Sequence, residues 1–276
     1  MPISHREKSH FEDISRFFLS GSHALERTLG ILSYNDDSLQ SFFTAHVAAY
    51  LEKKGNRIRL IDMLKEFPST RSVLQKEDVL ESPHLREGWN ARRSLTYVDT
   101  CSTLADVACF LSRNQEMEKP ENKEKIYTVL NLPFDSSAVF WQVLRMMGSV
   151  IILTGDTVDV LLRTTHIIKK LMEKRTFFRA GIIFSRLRKK SDPREIFEKI
   201  CSAFDDSQRS CLISIGEISP CQEVFHSLLS GHLLFDDKTN SEFSRKISRM
   251  LELIHARMTG DHQQKESSRI PSSSLL

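Results

Sequence analysis

Short, wholly apolar runs alternate along this chain with longer segments whose apolar residues recur at helical spacing. The runs predict strands at Leu29–Ser33, Arg57–Asp62, Leu95–Thr100, Tyr127–Leu132, Ser149–Thr154, Ala180–Ser185 and Leu212–Ile215. The periodic segments predict helices at Leu39–Lys53, Thr103–Arg113, Ala138–Met147, Val158–Lys174, Arg194–Phe204, Gln222–Leu229 and Glu242–Met258. Strands that are apolar on both faces and alternate with amphipathic helices belong in a parallel sheet covered on each side. The fold class is therefore α/β, a Rossmann-like, doubly wound, mainly parallel sheet with helices on both faces. Residues 29–258 form this domain. Residues 1–28 are a leader with a short amphipathic helix, and 259–276 a polar tail without periodicity, expected to be disordered. Gln115–Lys125 reads as a charged loop.

In the leader, Phe11, Ile14, Phe17, Phe18 and Leu19 share one helical face. That face suits packing on the main domain, or docking on a partner or a membrane surface. In the last helix, Phe243, Ile247, Met250, Leu251 and Ile254 share a side, which suits packing against the sheet.

The stretch from Leu29 to Met63 carries the most specific signal. A strand, a loop, a helix and a second strand ending Leu60-Ile61-Asp62 make the frame of a P-loop nucleotide-binding fold. The loop, Tyr34 to Ser41, has neither glycine nor lysine. Glycines would let successive N–H groups cradle phosphates, and a lysine would reach the β and γ phosphates. Here Leu39 and Gln40 stand at the final glycine and lysine positions, and Asp36 and Asp37 put negative charge where phosphates would sit. Ser41 alone keeps its role, as a magnesium ligand.

With these motifs the chain resembles the MinD/ParA-type ATPases, the group that includes the flagellar-number regulator FlhG, from about Leu29 to Arg257. In that group the loop reads KGGVGKS. Asn35 stands here for its extra lysine, Gln40 for the second lysine and Ser41 for the serine. Asp62 matches the aspartate that contacts the attacking water or magnesium. A strand ending D-T-P-P is represented by Asn131-Leu132-Pro133-Phe134, with Asn131 in place of the acid that holds magnesium through water. Ser185 replaces a base-reading asparagine. The order of Ile215-Gly216-Glu217-Ile218, Cys221-Gln222-Glu223-Val224, Leu229-Ser230-Gly231, Leu233-Leu234-Phe235 and Asn240-Ser241-Glu242 also fits.

The resemblance implies a vestigial nucleotide site at Asn35, Asp36, Asp37, Leu39, Gln40, Ser41, Asp62 and Asn131, without ATP hydrolysis and without a bound cofactor. Phe42 and Phe43 are candidates to fill the vacated phosphate position. The expected function is non-catalytic, through protein–protein interaction in spatial organisation of the cell: division, pole, flagellum or secretion system. The partner is then a protein, either a second copy or an active relative. One alternative is a switch that holds ATP and magnesium weakly through Ser41, Asp62 and the helix N-terminus. Another is non-specific DNA binding by the basic cluster Arg186, Arg188, Lys189 and Lys190. No aromatic residue interleaves with that cluster, which argues against single-strand stacking.

Composition narrows the rest. A net charge of +3 is too small to argue for nucleic acid. Cys101, Cys109, Cys201, Cys211 and Cys221 form no C-x-x-C and no zinc spacing, so they read as buried thiols in a reducing compartment. His46 and His166 have no partner at ligand spacing, so no metal site is expected. The polar N-terminus is no signal peptide, and the terminal RIPSSSLL is too short and polar for a membrane-targeting helix. A cytoplasmic location follows as the expectation.

Overall fold

Each apolar run becomes a strand of one sheet. The structure, a computed structural model, describes residues 27–34, 37–64, 70–74, 95–98, 101–117, 126–173, 179–188, 191–231, 233–236 and 241–259. The elements in chain order are β1 (Thr28–Ser33), α1 (Asp37–Lys53), β2 (Arg57–Asp62), α2 (Thr70–Leu74), β3 (Leu95–Tyr97) and α3 (Leu104–Met117). They continue with β4 (Ile126–Leu132), α4 (Ala138–Arg145), β5 (Ser149–Thr154), α5 (Val158–Met172), β6 (Arg179–Ser185) and α6 (Pro193–Cys201). The last are α7 (Asp206–Arg209), β7 (Leu212–Ile218), α8 (Gln222–Ser230), a 3-10 turn (Leu234–Asp236) and α9 (Glu242–Thr259).

Among the described residues seven strands pair in the order β3-β2-β4-β1-β5-β6-β7, every neighbouring pair parallel. The predicted doubly wound sheet is thus present. Two cores cover its faces. One joins α1, α8 and α9 to Leu29, Ile31, Ile58 and Leu60. The other joins α3, α4, α5 and α6 to Leu32, Ile61, Leu130 and Ile152. Ile247, Met250, Leu251 and Ile254 of α9 are buried in the first core and Phe243 packs against it, as the pattern predicted.

Local chemistry sets several helix ends. Ser137 caps α4 by accepting from the Phe140 N–H, and Asp192 caps α6 ahead of Pro193. Gly231 ends α8 in the left-handed conformation, at φ 65°. His46 is fully buried, with Nδ1 against the Phe42 carbonyl and Nε2 accepting from the Leu234 N–H. It ties α1 to the 3-10 turn and is structural. His166 is exposed on α5.

Three expectations need correction. α3 continues through Met117, so the start of the expected charged loop at Gln115 is helical. β7 runs to Ile218, because a bulge at Ile215 resets the register from Ile182↔Ser214 to Ile183↔Gly216 and pairing resumes. Of the five cysteines only Cys101 and Cys201 are buried; Cys109, Cys211 and Cys221 are half-buried. The leader through residue 26 and the tail from residue 260 lie outside the described residues.

Candidate functional site

Sheet register assembles the site. Ile31 of β1 lies opposite Asn131 of β4, and Asn131 lies opposite Asp62 of β2. The three form one row across the carboxyl ends of the central strands, where open α/β sheets place their ligands. α1 starts after β1 and brings Gln40 over this row.

Gln40 is fully buried. Its Nε2 lies 2.9 Å from the Ile31 carbonyl, 2.7 Å from Asn131 Oδ1 and 2.8 Å from the Leu132 carbonyl. Two protons are thus shared among three acceptors, and the side chain clasps the ends of β1 and β4 together. Asn131, also 0% exposed, passes the chain onward. Its Nδ2 donates to Asp62 Oδ1 at 2.8 Å and to Thr70 Oγ1 at 2.8 Å, with Ser41 Oγ at 3.4 Å. The Thr44 hydroxyl lies 2.8 Å from the Gln40 carbonyl and 3.2 Å from Asn131 Oδ1. Asp62 also accepts the N–H groups of Leu64 and Thr70 at 3.1 and 3.0 Å. Gln40 Oε1 is buried with no hydrogen-bond partner among the described residues. An orphan of this kind costs about 1–3 kcal/mol, so Oε1 is the weak point of an otherwise satisfied network.

On the other face of the same strand ends, Tyr34, next after β1, meets Phe134, just beyond β4, with ring centroids 4.4 Å apart. Arg163 of α5 lies 4.6 Å over the Tyr34 ring and donates to its hydroxyl at 2.5 Å.

Burial pushes the Asp62 carboxyl up from 3.8, against the opposing hydrogen bonds from Asn131, Thr70 and Leu64. The unfolded chain therefore ionises first as pH rises, and folded stability falls through the window that opens at 3.8. Relative to Asp62→Asn, the wild-type urea midpoint should drop as pH rises above about 4. A difference that does not vary with pH would show that Asp62 titrates as it does in the unfolded chain.

The group at the lysine position is turned into the sheet, where protein oxygens occupy its donors. Ser41 is 1% exposed. Asn131 presents an N–H, not an oxygen, toward Asp62. Among the described residues no group of three or more His, Cys, Asp or Glu could hold a metal ion.

The structure brings Gln40, Ser41, Asp62 and Asn131 into one hydrogen-bonded group. Leu39 is buried in the first core. Asn35 and Asp36 lie outside the described residues, as does the side chain of Asp37. Phe42 and Phe43 do not fill the phosphate position; both are fully buried in the first core beside Leu29 and Ile58. Thr44, four residues beyond Gln40, shares its helical face and joins the network instead. Thr44 and Thr70 were missed by sequence reasoning. The spacing of four from Gln40 was the signal for Thr44; Thr70 sits on a five-residue helix too short to show periodicity.

The basic cluster is less open than its sequence suggests. Arg188 pairs with Asp156, Nε to Oδ1 3.4 Å, and Asp156 also accepts the Arg188 N–H at 3.0 Å and the Ser191 hydroxyl at 2.5 Å. Burial favours the neutral Asp156 carboxyl, but Ser191 and Arg188 together hold it below 3.8. Arg186 is exposed, with a left-handed backbone at φ 53°. Lys189 and Lys190 lie outside the described residues. No helix among the described residues is long and apolar enough to cross a membrane.

No protein-family model matches the chain. No curated protein matches it in sequence either. Solved structures do match. The MinC:MinD cell division protein complex of Aquifex aeolicus aligns at 16% identity over 83% of this chain and 96% of that one, with a TM-score of 0.60. The cell division ATPase MinD of Pyrococcus furiosus aligns at 12% identity over 83% and 98%, with a TM-score of 0.59. A putative plasmid partition protein of Borrelia burgdorferi, bound to AMPPNP, aligns at 17% identity over 84% and 99%, with a TM-score of 0.58. The parallel sheet, the strand–loop–helix entry to it and these alignments along most of the chain give one result: this protein has the MinD/ParA-type P-loop fold.

Proposed function

We propose that this chain is a pseudo-ATPase of MinD/ParA type, acting through protein–protein contacts in the spatial organisation of the cell. The observation that carries the reading is Gln40. At the lysine position, fully buried, its amide holds the carboxyl ends of β1 and β4 and engages Asn131. A lysine there reaches outward to phosphates; this glutamine reaches inward to the sheet. The network that links Gln40, Asn131, Asp62 and Thr70 takes up the polar groups that magnesium and phosphate would need. A fold built around nucleotide-dependent switching then becomes a fixed scaffold. Proteins of the same fold include a MinC:MinD cell division complex and plasmid partition proteins, which is why the partner is expected to be a protein: a second copy or an active relative.

The test is calorimetric titration of ATP and ADP with magnesium, with a thermal melt alongside. No heat of binding and no melt shift at millimolar nucleotide is the expected result. Micromolar binding would stabilise the fold by about 4 kcal/mol at a thousandfold excess over Kd, a plainly visible shift. That outcome would return the chain to the switches.

A further inference from the structure

Four large apolar side chains stay exposed among the described residues, and two of them stand one turn apart on α5: Val158 is 72% exposed and Leu162 65%. Further along the same helix the exposed face becomes cationic, with His166 and Lys169. Lys169 stands about 10 Å along the helix from Leu162. Lys170 lies 4.5 Å over the half-buried Trp141 ring of α4, which also meets His166 edge-on at 6.5 Å. Lys169 lies 5.9 Å over the Phe204 ring, and among the described residues neither lysine pairs with a carboxylate. Asp159 is tied to Arg163 at 3.0 Å.

We infer that this face of α5 docks an acidic amphipathic helix of a partner protein, its apolar side chains on Val158 and Leu162 and its carboxylates opposite Lys169 and Lys170. Exposed aliphatic side chains beside a half-buried tryptophan, rimmed by charge, are what an amphipathic helix packs on. The sign of the rim sets the sign of the partner. A bilayer or a nucleic acid is the poorer match. Two aliphatic side chains bury too little apolar area to hold a lipid surface. A surface of phosphates would also meet Asp159 and the exposed Glu173, whereas a helix can place its carboxylates opposite the lysines alone. The inference rests on the reading that this chain works through a protein partner, and not on the closed nucleotide site. Titration with Mg-ATP tests that site and leaves α5 untouched, so either reading can fail without the other.

The probe is a synthetic helical peptide with two leucines four residues apart and glutamates seven residues beyond them on either side. Its control carries lysine for each glutamate. Trp141 reports docking, because it is the sole tryptophan in the Trp89→Phe variant of the full chain. The expected result is a saturable change in its emission with the glutamate peptide, at a Kd of about 10–100 µM, and none with the lysine peptide. Val158→Ser/Leu162→Ser should weaken binding about tenfold. Both side chains are exposed, so the melting temperature of this variant should match that of its parent. Lys169→Glu/Lys170→Glu should exchange the preference, taking the lysine peptide and refusing the glutamate one. Equal affinity for the two peptides, no saturable binding by either, a serine variant that binds as its parent does, or a charge-reversed variant with unchanged preference would each overturn the inference. So would sedimentation with phosphatidylglycerol vesicles, retention of random-sequence duplex DNA or a concentration-dependent dimer, if the serine variant abolished it, since α5 would then belong to a lipid surface, a nucleic acid or a second copy.

Discussion

Replacing Asn131 with leucine is expected to lower the melting temperature by about 10 °C, the largest loss of any single change in the network. Asn131 is fully buried and stands between every other member. Its loss leaves the Thr44 hydroxyl one acceptor fewer and removes a donor to Asp62. It also takes an acceptor from Gln40 and the donor from Thr70 Oγ1. A buried polar group stripped of its partner costs about 1–3 kcal/mol, and more when charged. Several are stripped at once, with some relaxation, so the total should be about 3–4 kcal/mol. At roughly 2–4 °C per kcal/mol for a domain of this size, the shift follows. Circular dichroism melts of the two proteins measure it. A loss under about 3 °C would mean that the network relaxes around the gap and does not organise the strand ends. Asn131→Asp separates charge from shape. It restores the acid of the family motif but sets a second carboxylate against Asp62, where Nδ2 now lies at 2.8 Å. Two such groups cannot both ionise cheaply, so this variant should recover stability on acidification, when one proton is shared between them.

Much of this architecture was legible in the sequence because parallel strands buried on both faces are written as unbroken apolar runs. Ser149–Thr154 is the clearest example: its predicted bounds are those observed. The strand predicted to end at Ile215 runs on to Ile218, because the bulge at Ile215 lets the ladder resume. α2 and α7, at five and four residues, are too short for any helical period to show. At the site, the same logic holds one level down. Positions at strand ends and helix starts can be found from order and spacing, so Gln40, Ser41, Asp62 and Asn131 could be named together. What fills the space between them could not. That depends on side-chain direction, and the sequence does not say whether a glutamine points out to solvent or in to two strand carbonyls. The expectation for Phe42 failed for a related reason: two residues beyond Gln40 on a helix is nearly the opposite face.

Restoring the missing lysine should not restore the nucleotide. Gln40→Lys is expected to leave Mg-ATP binding undetectable and to destabilise the fold by about 3 kcal/mol, or roughly 6–12 °C in Tm. The reason lies in the pocket that Gln40 occupies. Its three acceptors, the carbonyls of Ile31 and Leu132 and Oδ1 of Asn131, would offer an ammonium its full set of hydrogen bonds. They carry no formal charge. Asp62, the carboxylate of the network, already accepts from Asn131, Leu64 and Thr70. A lysine drawn into that space is a buried cation with incomplete compensation, and one directed outward abandons the clasp between β1 and β4. Neither choice supplies glycines to the loop, so phosphates would still lack a backbone cradle. Melts with and without millimolar Mg-ATP read both halves of the expectation. Stabilisation by ATP in this variant alone would show that one side chain, and not the loop, keeps nucleotide out. Coupling completes the argument: Gln40→Met and Asn131→Leu, measured singly and together, should be non-additive by about 1–3 kcal/mol, because each removes the other's partner. Additive losses would place Gln40 outside the network that Asn131 organises, and the inward-turned glutamine would no longer explain a closed site.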